Sequence, residues 1–209
     1  MAGIPQNFQA LSNVLANYDF VDIASGTGYI TFYGGNTVDL RLLSNKIFYA
    51  QDVSTNSSTL VNGASTKRMD LDFDVLLNRP IDLKGTAIVE LPFYVTSSGN
   101  TTFWYFTLRV RKWDGVTETE IATNDSASYS QGGTNAYYMT AIDITIPLTH
   151  FKIGETIRLT VECWGYTTGG GVTATVKCGH DPRGRTTGWD TSGAVPSTLL
   201  FQCPVRLNL

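Results

Sequence analysis

Residues able to do acid–base, nucleophilic or metal chemistry are few in this chain, and their spacing suits none of it. The two histidines, His150 and His180, stand in neither an H-E-x-x-H nor an H-x-H arrangement, so no imidazole pair is offered to a metal. No G-x-S-x-G nucleophile elbow occurs. Cys163, Cys178 and Cys203 lack C-x-x-C spacing and fall in strand-like runs. An odd count cannot pair fully within one chain, and buried free thiols are the reading we favour. A Cys163 or Cys178 nucleophile with His180 as base can be drawn, but a reactive thiolate needs an electropositive cleft or a helix end. Asp143 and Glu162 are strand acids that would serve a glycosidase if a cleft set them face to face. The sequence therefore predicts no catalytic residue, no cofactor and no metal, and a chain that is not an enzyme.

Three other groupings carry charge or glycine. Asp70, Asp72 and Asp74 share one face of a strand-like run. Residues two apart on a strand stand about 6 to 7 Å from each other, too far for neighbouring carboxylates to close an oxygen cage unaided, so a solvated face or pairing with Arg109 and Arg111 is expected. Ser25-Gly26-Thr27-Gly28 resembles a phosphate loop only in its glycines, because no Lys and no helix follow; it reads as a turn. In Gly179-His180-Asp181-Pro182-Arg183-Gly184-Arg185, Arg183 and Arg185 could meet a subunit or a carboxylate ligand. Alternatively, Asp181 accepts hydrogen bonds from its own loop while the arginines stay solvated.

The elements that must position these groups are strands. From Thr101 to Trp113, Trp104, Phe106, Leu108 and Val110 alternate with Phe103, Tyr105, Thr107, Arg109 and Arg111, a period of two. Ala87 to Val95 and Tyr138 to Leu148 repeat the pattern, and Ser97-Ser98-Gly99-Asn100 and Trp113-Asp114-Gly115 supply tight-turn residues. Further strands are expected at Phe20 to Ala24, Tyr29 to Tyr33, Val38 to Leu43, Lys46 to Ala50, Lys67 to Leu76, Val116 to Ala122, Thr156 to Tyr166, Val172 to Cys178 and Thr198 to Leu207. The stretches Ser54 to Ser65 and Thr123 to Gly133 read as exposed polar loops. One short helix is expected from Gln6 to Asn17, where Phe8, Leu11, Val14 and Leu15 recur at helical spacing. The fold class is all-β, an antiparallel jelly-roll-like β-sandwich of eight to twelve strands in two packed sheets. An N-terminal arm (1–17) precedes a single domain (18–209).

Composition narrows the partners. Charged residues are 16% of 209 and the net charge is −3, which gives no basic footprint for nucleic acid. No run reaches the length of an apolar membrane helix or a secretory signal, so no membrane contact is expected. Phe103 and Tyr105 lie opposite the core residues of their strand, and Tyr137 and Met139 do the same on the strand ending at Leu148. Large side chains on an outer face predict a patch buried against other copies of the protein. Phe103, Tyr105 and Trp113 would alternatively offer a glycan their ring faces.

Four stretches together resemble virion proteins of tailed bacteriophages and related viruses that coat or decorate a capsid. They are Ser25 to Gly34, Lys84-Gly85-Thr86-Ala87 with the strand after it, Leu108 to Ile121, and Gly179-His180-Asp181-Pro182. The resemblance implies a jelly-roll subunit that forms a homo-oligomer, a trimer being favoured, on a virus particle assembled in the host cytoplasm. Its partners would be its own copies and the major capsid protein or other virion proteins. It carries over no catalytic residue.

Overall fold

A computed structural model describes residues 27–57, 59–97, 99, 101–133, 135–169, 173–186, 189 and 195–206. Among them the chain is all β: β1 (Thr27–Asn36), β2 (Arg41–Ser44), β3 (Ser54–Asn56), β4 (Thr66–Leu76), β5 (Ile81–Ser97), β6 (Thr101–Trp113), β7 (Glu118–Asp125), β8 (Tyr129–Gly132), β9 (Ala136–Phe151), β10 (Thr156–Thr167), β11 (Ala174–Gly179) and β12 (Leu199–Arg206). The helix expected over Gln6 to Asn17, the 1–17 arm and a strand at Phe20 to Ala24 lie outside the described residues.

The strands form one continuous mixed sheet, not two separate ones. Its order is β3-β11-β5-β12-β1-β2-β4-β10-β6-β7, with β8 on β6 and β9 on β5. Every pairing is antiparallel except β2 with β4, a parallel contact at Leu42 and Asp74. The expectation of a wholly antiparallel pair of sheets is corrected there, because the four-residue β2 bridges what would otherwise be two edges.

The sheet doubles over so that β5 and β6 face each other. Phe93 of β5 meets Trp104 and Phe106 of β6 at ring-centroid distances of 6.0 and 5.0 Å, with Tyr129 and Tyr138 closing round it. The hairpin expected at Ser97 to Asn100 therefore does not form. The chain does reverse there, but β5 spends its hydrogen-bonding edges on β9, β11 and β12, and β6 on β10, β7 and β8. Turn residues report a reversal; they do not say whether the returning strand lies beside its predecessor or across the core from it.

Alternation was the better guide. Trp104, Phe106, Leu108 and Val110 are buried, as are Ala87, Val89, Leu91, Phe93 and Val95. Burying each such aliphatic or aromatic side chain stabilises the fold by about 2 kcal/mol. The Asp114-Gly115 hairpin forms as expected between β6 and β7, with Gly115 at φ 97° and Asp114 Oδ1 accepting from the amides of Val116 and Thr117. Two polar stretches are more ordered than their composition suggests. The stretch from Ser54 holds β3 and a fully buried Leu60 bridged to Ala174, and the stretch after Thr123 holds β8. Lys46 to Ala50, expected as a strand, joins no ladder.

Candidate functional site

Antiparallel register sets the outer residues of β6 and β10 opposite one another: Phe103 with Tyr166, Tyr105 with Trp164, Thr107 with Glu162, Arg109 with Thr160, and Arg111 with Arg158. The first two rows make a four-ring cluster. Phe103 and Tyr166 stack at 5.1 Å with an interplanar angle of 15°, and Tyr105 and Trp164 lie parallel within 7° at 6.4 Å. Nearly parallel rings with centroids 5.1 Å apart form an offset stack, so Phe103 and Tyr166 each turn one face partly against the other. A cleft of about 320 Å³ opens beside them, lined also by Ser65 and Ser128. Gly165 sits between the two rows, where an added Cβ would lie 2.6 Å from the Phe103 carbonyl oxygen.

Next along the face, Glu162 is 3% exposed, unusual for a carboxylate on the outside of a sheet. Arg109 Nε at 3.2 Å, Lys67 Nζ at 3.4 Å and Trp164 Nε1 at 3.0 Å all donate to it. Burial pushes its carboxyl up, but the Trp164 and Arg109 bonds and the nearby positive charges outweigh that and hold it below the usual carboxylate range. The indole bond thus joins the aromatic cluster to a fixed charge.

The face continues as a charge ladder. Arg158 binds Asp74 through Nε and Nη2 at 2.7 and 2.8 Å and also reaches Glu118; these bonds raise its pKa. Arg111 meets Glu118 at 2.7 Å, and Arg109 meets Glu120 at 2.6 Å. Asp70, Asp72 and Asp74 were expected to pair with Arg109 and Arg111. Because β10 lies between β4 and β6, Arg158 and Lys67 take them instead. Trp113, on the same face, has the Arg158 guanidinium over its ring at 5.9 Å.

The remaining candidates lie elsewhere. Tyr137 and Met139 project from β9, which pairs with β5, and their inward neighbour Tyr138 stacks on Phe93. They occupy the opposite outer face, where Tyr137 stacks on Tyr94 at 4.1 Å and Met139 is exposed. Phe103 and Tyr105 therefore form no patch with Tyr137 and Met139. Asp143 shares that second face, so the core separates it from Glu162 and the two make no acid pair. Asp181 is fully buried and accepts from the amides of Arg183 and Arg185 and from Arg185 Nε at 2.6 Å. Both arginines lie over the exposed Tyr49 ring, at 5.7 and 4.3 Å.

Cys163, Cys178 and Cys203 are free and fully buried, and burial pushes the Cys163 thiol up to about 12 and the other two up as well. Sequence reasoning missed Trp164 and Tyr166 as partners of the predicted aromatics. The signal was present in the second phase of the Thr156 to Tyr166 alternation, of which only the apolar phase was read.

No protein-family model and no curated protein sequence matches this chain. Its fold is similar to parts of several solved hydrolases. An aminopeptidase from the marine sediment archaeon Thaumarchaeota archaeon is 10% identical with a TM-score of 0.53, over 87% of this chain and 37% of that one. An alpha-amino acid ester hydrolase is 11% identical with a TM-score of 0.53, over 84% and 36%. A CocE/NonD family hydrolase from Staphylococcus aureus is 12% identical with a TM-score of 0.50, over 86% and 37%. The chain thus spans little more than a third of the length of these proteins. VP2 of infectious bursal disease virus overlaps at a TM-score of 0.32, too low to bear on function. The expectation that the chain is not an enzyme is corrected by these likenesses: the solved proteins with which it shares its fold in part are hydrolases, so fold gives no ground for setting catalysis aside.

Proposed function

We infer that this chain is a virion structural protein, a jelly-roll-like subunit that coats or decorates a capsid as a symmetric homo-oligomer, with a trimer favoured. The observation that carries the reading is the four-ring cluster of Phe103, Tyr105, Trp164 and Tyr166, half-buried on an outer sheet face beside an open cleft. Aromatic side chains gathered outside the core suit burial against protein, at about 2 kcal/mol for each ring covered. Repetition round a symmetry axis multiplies such a contact. The resemblance of Ser25 to Gly34, Leu108 to Ile121 and Gly179 to Pro182 to capsid-coating proteins supports the same reading.

A glycan-binding module is the weaker reading, because stacking a sugar ring needs a free aromatic face. Phe103 has one face partly against Tyr166, and the Trp113 ring carries the Arg158 guanidinium. Light scattering on the purified protein tests the proposal: a mass three times 22.8 kDa is expected. A monomer that is retained on a polysaccharide column would favour the glycan reading instead.

A further inference from the structure

The sheet is weakest where β2 meets β4, at a single partner pair, Leu42 and Asp74, while on its other edge β4 runs its whole length against β10. Two adjoining hollows of about 260 and 550 Å³ lie over this seam and share Leu43, Ser44, Val75 and Leu76. Core residues floor the smaller one: Phe32, Leu43 and Leu77 are buried members of the main cluster, and Ile30, Val75 and Ile81 pack against them. Leu40 and Leu76, 68% and 69% exposed, flank the larger. Together they form a groove that reaches from the core to the surface, of mixed polarity over the smaller hollow and mainly apolar over the larger. Its side-chain cations are Arg79 and Arg41, neither ion-paired among the described residues, and its one carboxylate, Asp74, is already held by Arg158.

The chain ahead of β1 has matching chemistry. Residues 1–26 carry Phe8, Leu11, Val14, Leu15, Phe20 and Val21, and their only charged side chains are Asp19 and Asp22. Gly26 precedes Ile30 on the groove wall by four residues, about 13 Å of extended chain. We propose that this groove is the seat of the chain's own N-terminal segment, whose apolar residues cover Leu43, Val75 and Leu76 while Asp19 and Asp22 meet Arg79 and Arg41. Apolar content, sign of charge and tether length each favour this occupant, and none depends on the aromatic face or on the virion reading.

Thiol labelling of the full-length protein tests it, since Cys163, Cys178 and Cys203 are fully buried and serve as a silent background. A single Leu76→Cys variant is compared with Val116→Cys, whose parent residue is 84% exposed in a hairpin turn. We expect Leu76→Cys to react at least about tenfold more slowly, and Leu11→Asp in the same chain to restore a rate near that of Val116→Cys. Equal rates at the introduced cysteine in the two variants would overturn the proposal, as would protection that Leu11→Asp leaves unchanged. Protection that vanishes on dilution would also overturn it and assign the groove to a second copy.

Discussion

His180 Nε2 lies 2.8 Å from the Thr55 hydroxyl, and the His180 amide donates to the Val53 carbonyl, so one residue ties the three-residue β3 to the end of β11. The ring is fully buried and packs 5.7 Å from Phe73, and its Nδ1 has no partner among the described residues. Burial lowers its pKa to about 4, with the Arg41 charge adding to it, against a hydrogen bond to its own backbone and the weaker pull of Asp52 and Asp181. A base whose pKa is depressed by folding contributes stability that is fully present above its unfolded value near 6.5. That stability is lost as pH falls toward 4, because the unfolded chain takes up the proton first.

Urea unfolding should therefore show stability falling between pH 6.5 and 4 by up to roughly 3 kcal/mol from this residue. In His180→Gln that part of the slope should disappear. A variant with the same slope as the parent would assign the acid sensitivity elsewhere.

Glu162 predicts a separate acid step. Its carboxyl is held below the usual range, so its contribution is present above about pH 4.5 and is lost only as pH falls through the lower folded value. Glu162→Gln at pH 7 should cost about 1 to 3 kcal/mol, discounted because Arg109 and Lys67 are partly solvated. Tryptophan fluorescence should also change, since Trp164 Nε1 loses its charged acceptor.

The thiols should be slow. With Cys163 pushed up to about 12 and all three fully buried, a thiol reagent at pH 8 should label the native protein only over hours and the urea-unfolded protein within minutes. Rapid native labelling would contradict the packing of β10, β11 and β12.

Gly165→Ala should destabilise by about 1 to 3 kcal/mol, because the new methyl group meets the Phe103 carbonyl oxygen across the ladder and Leu60 Cδ1 behind it. It should also spread the aromatic rows, which near-ultraviolet circular dichroism would register. An unchanged spectrum with full stability would mean that the two strands are not closely seated there.

How much of this was legible in the sequence depends on whether local pattern or long-range pairing decides the feature. The inward phase of β6, the Asp114-Gly115 hairpin and the burial of the cysteines follow from alternation and turn chemistry that neighbouring residues carry. Which strands lie side by side does not. The sequence neighbours β5 and β6 oppose each other across the core, whereas β10 comes from over 40 residues away to sit between β4 and β6. That placement supplied Trp164 and Tyr166 to the aromatic cluster and moved Arg158 into the aspartate row, while the pairing of β9 with β5 put Tyr137 on the far face. Leu60 shows the same limit at smaller scale: in a polar stretch, one bridge to Ala174 suffices to bury it.

The most direct test of assembly through the aromatic face is sedimentation equilibrium of the parent and of the Phe103→Ser, Tyr105→Ser double variant under the same conditions. The account predicts a trimer for the parent, and for the variant a β-rich, cooperatively unfolding protein that dissociates at concentrations where the parent does not. A parent that sediments as a single chain, or a variant that assembles as tightly as the parent, would contradict it.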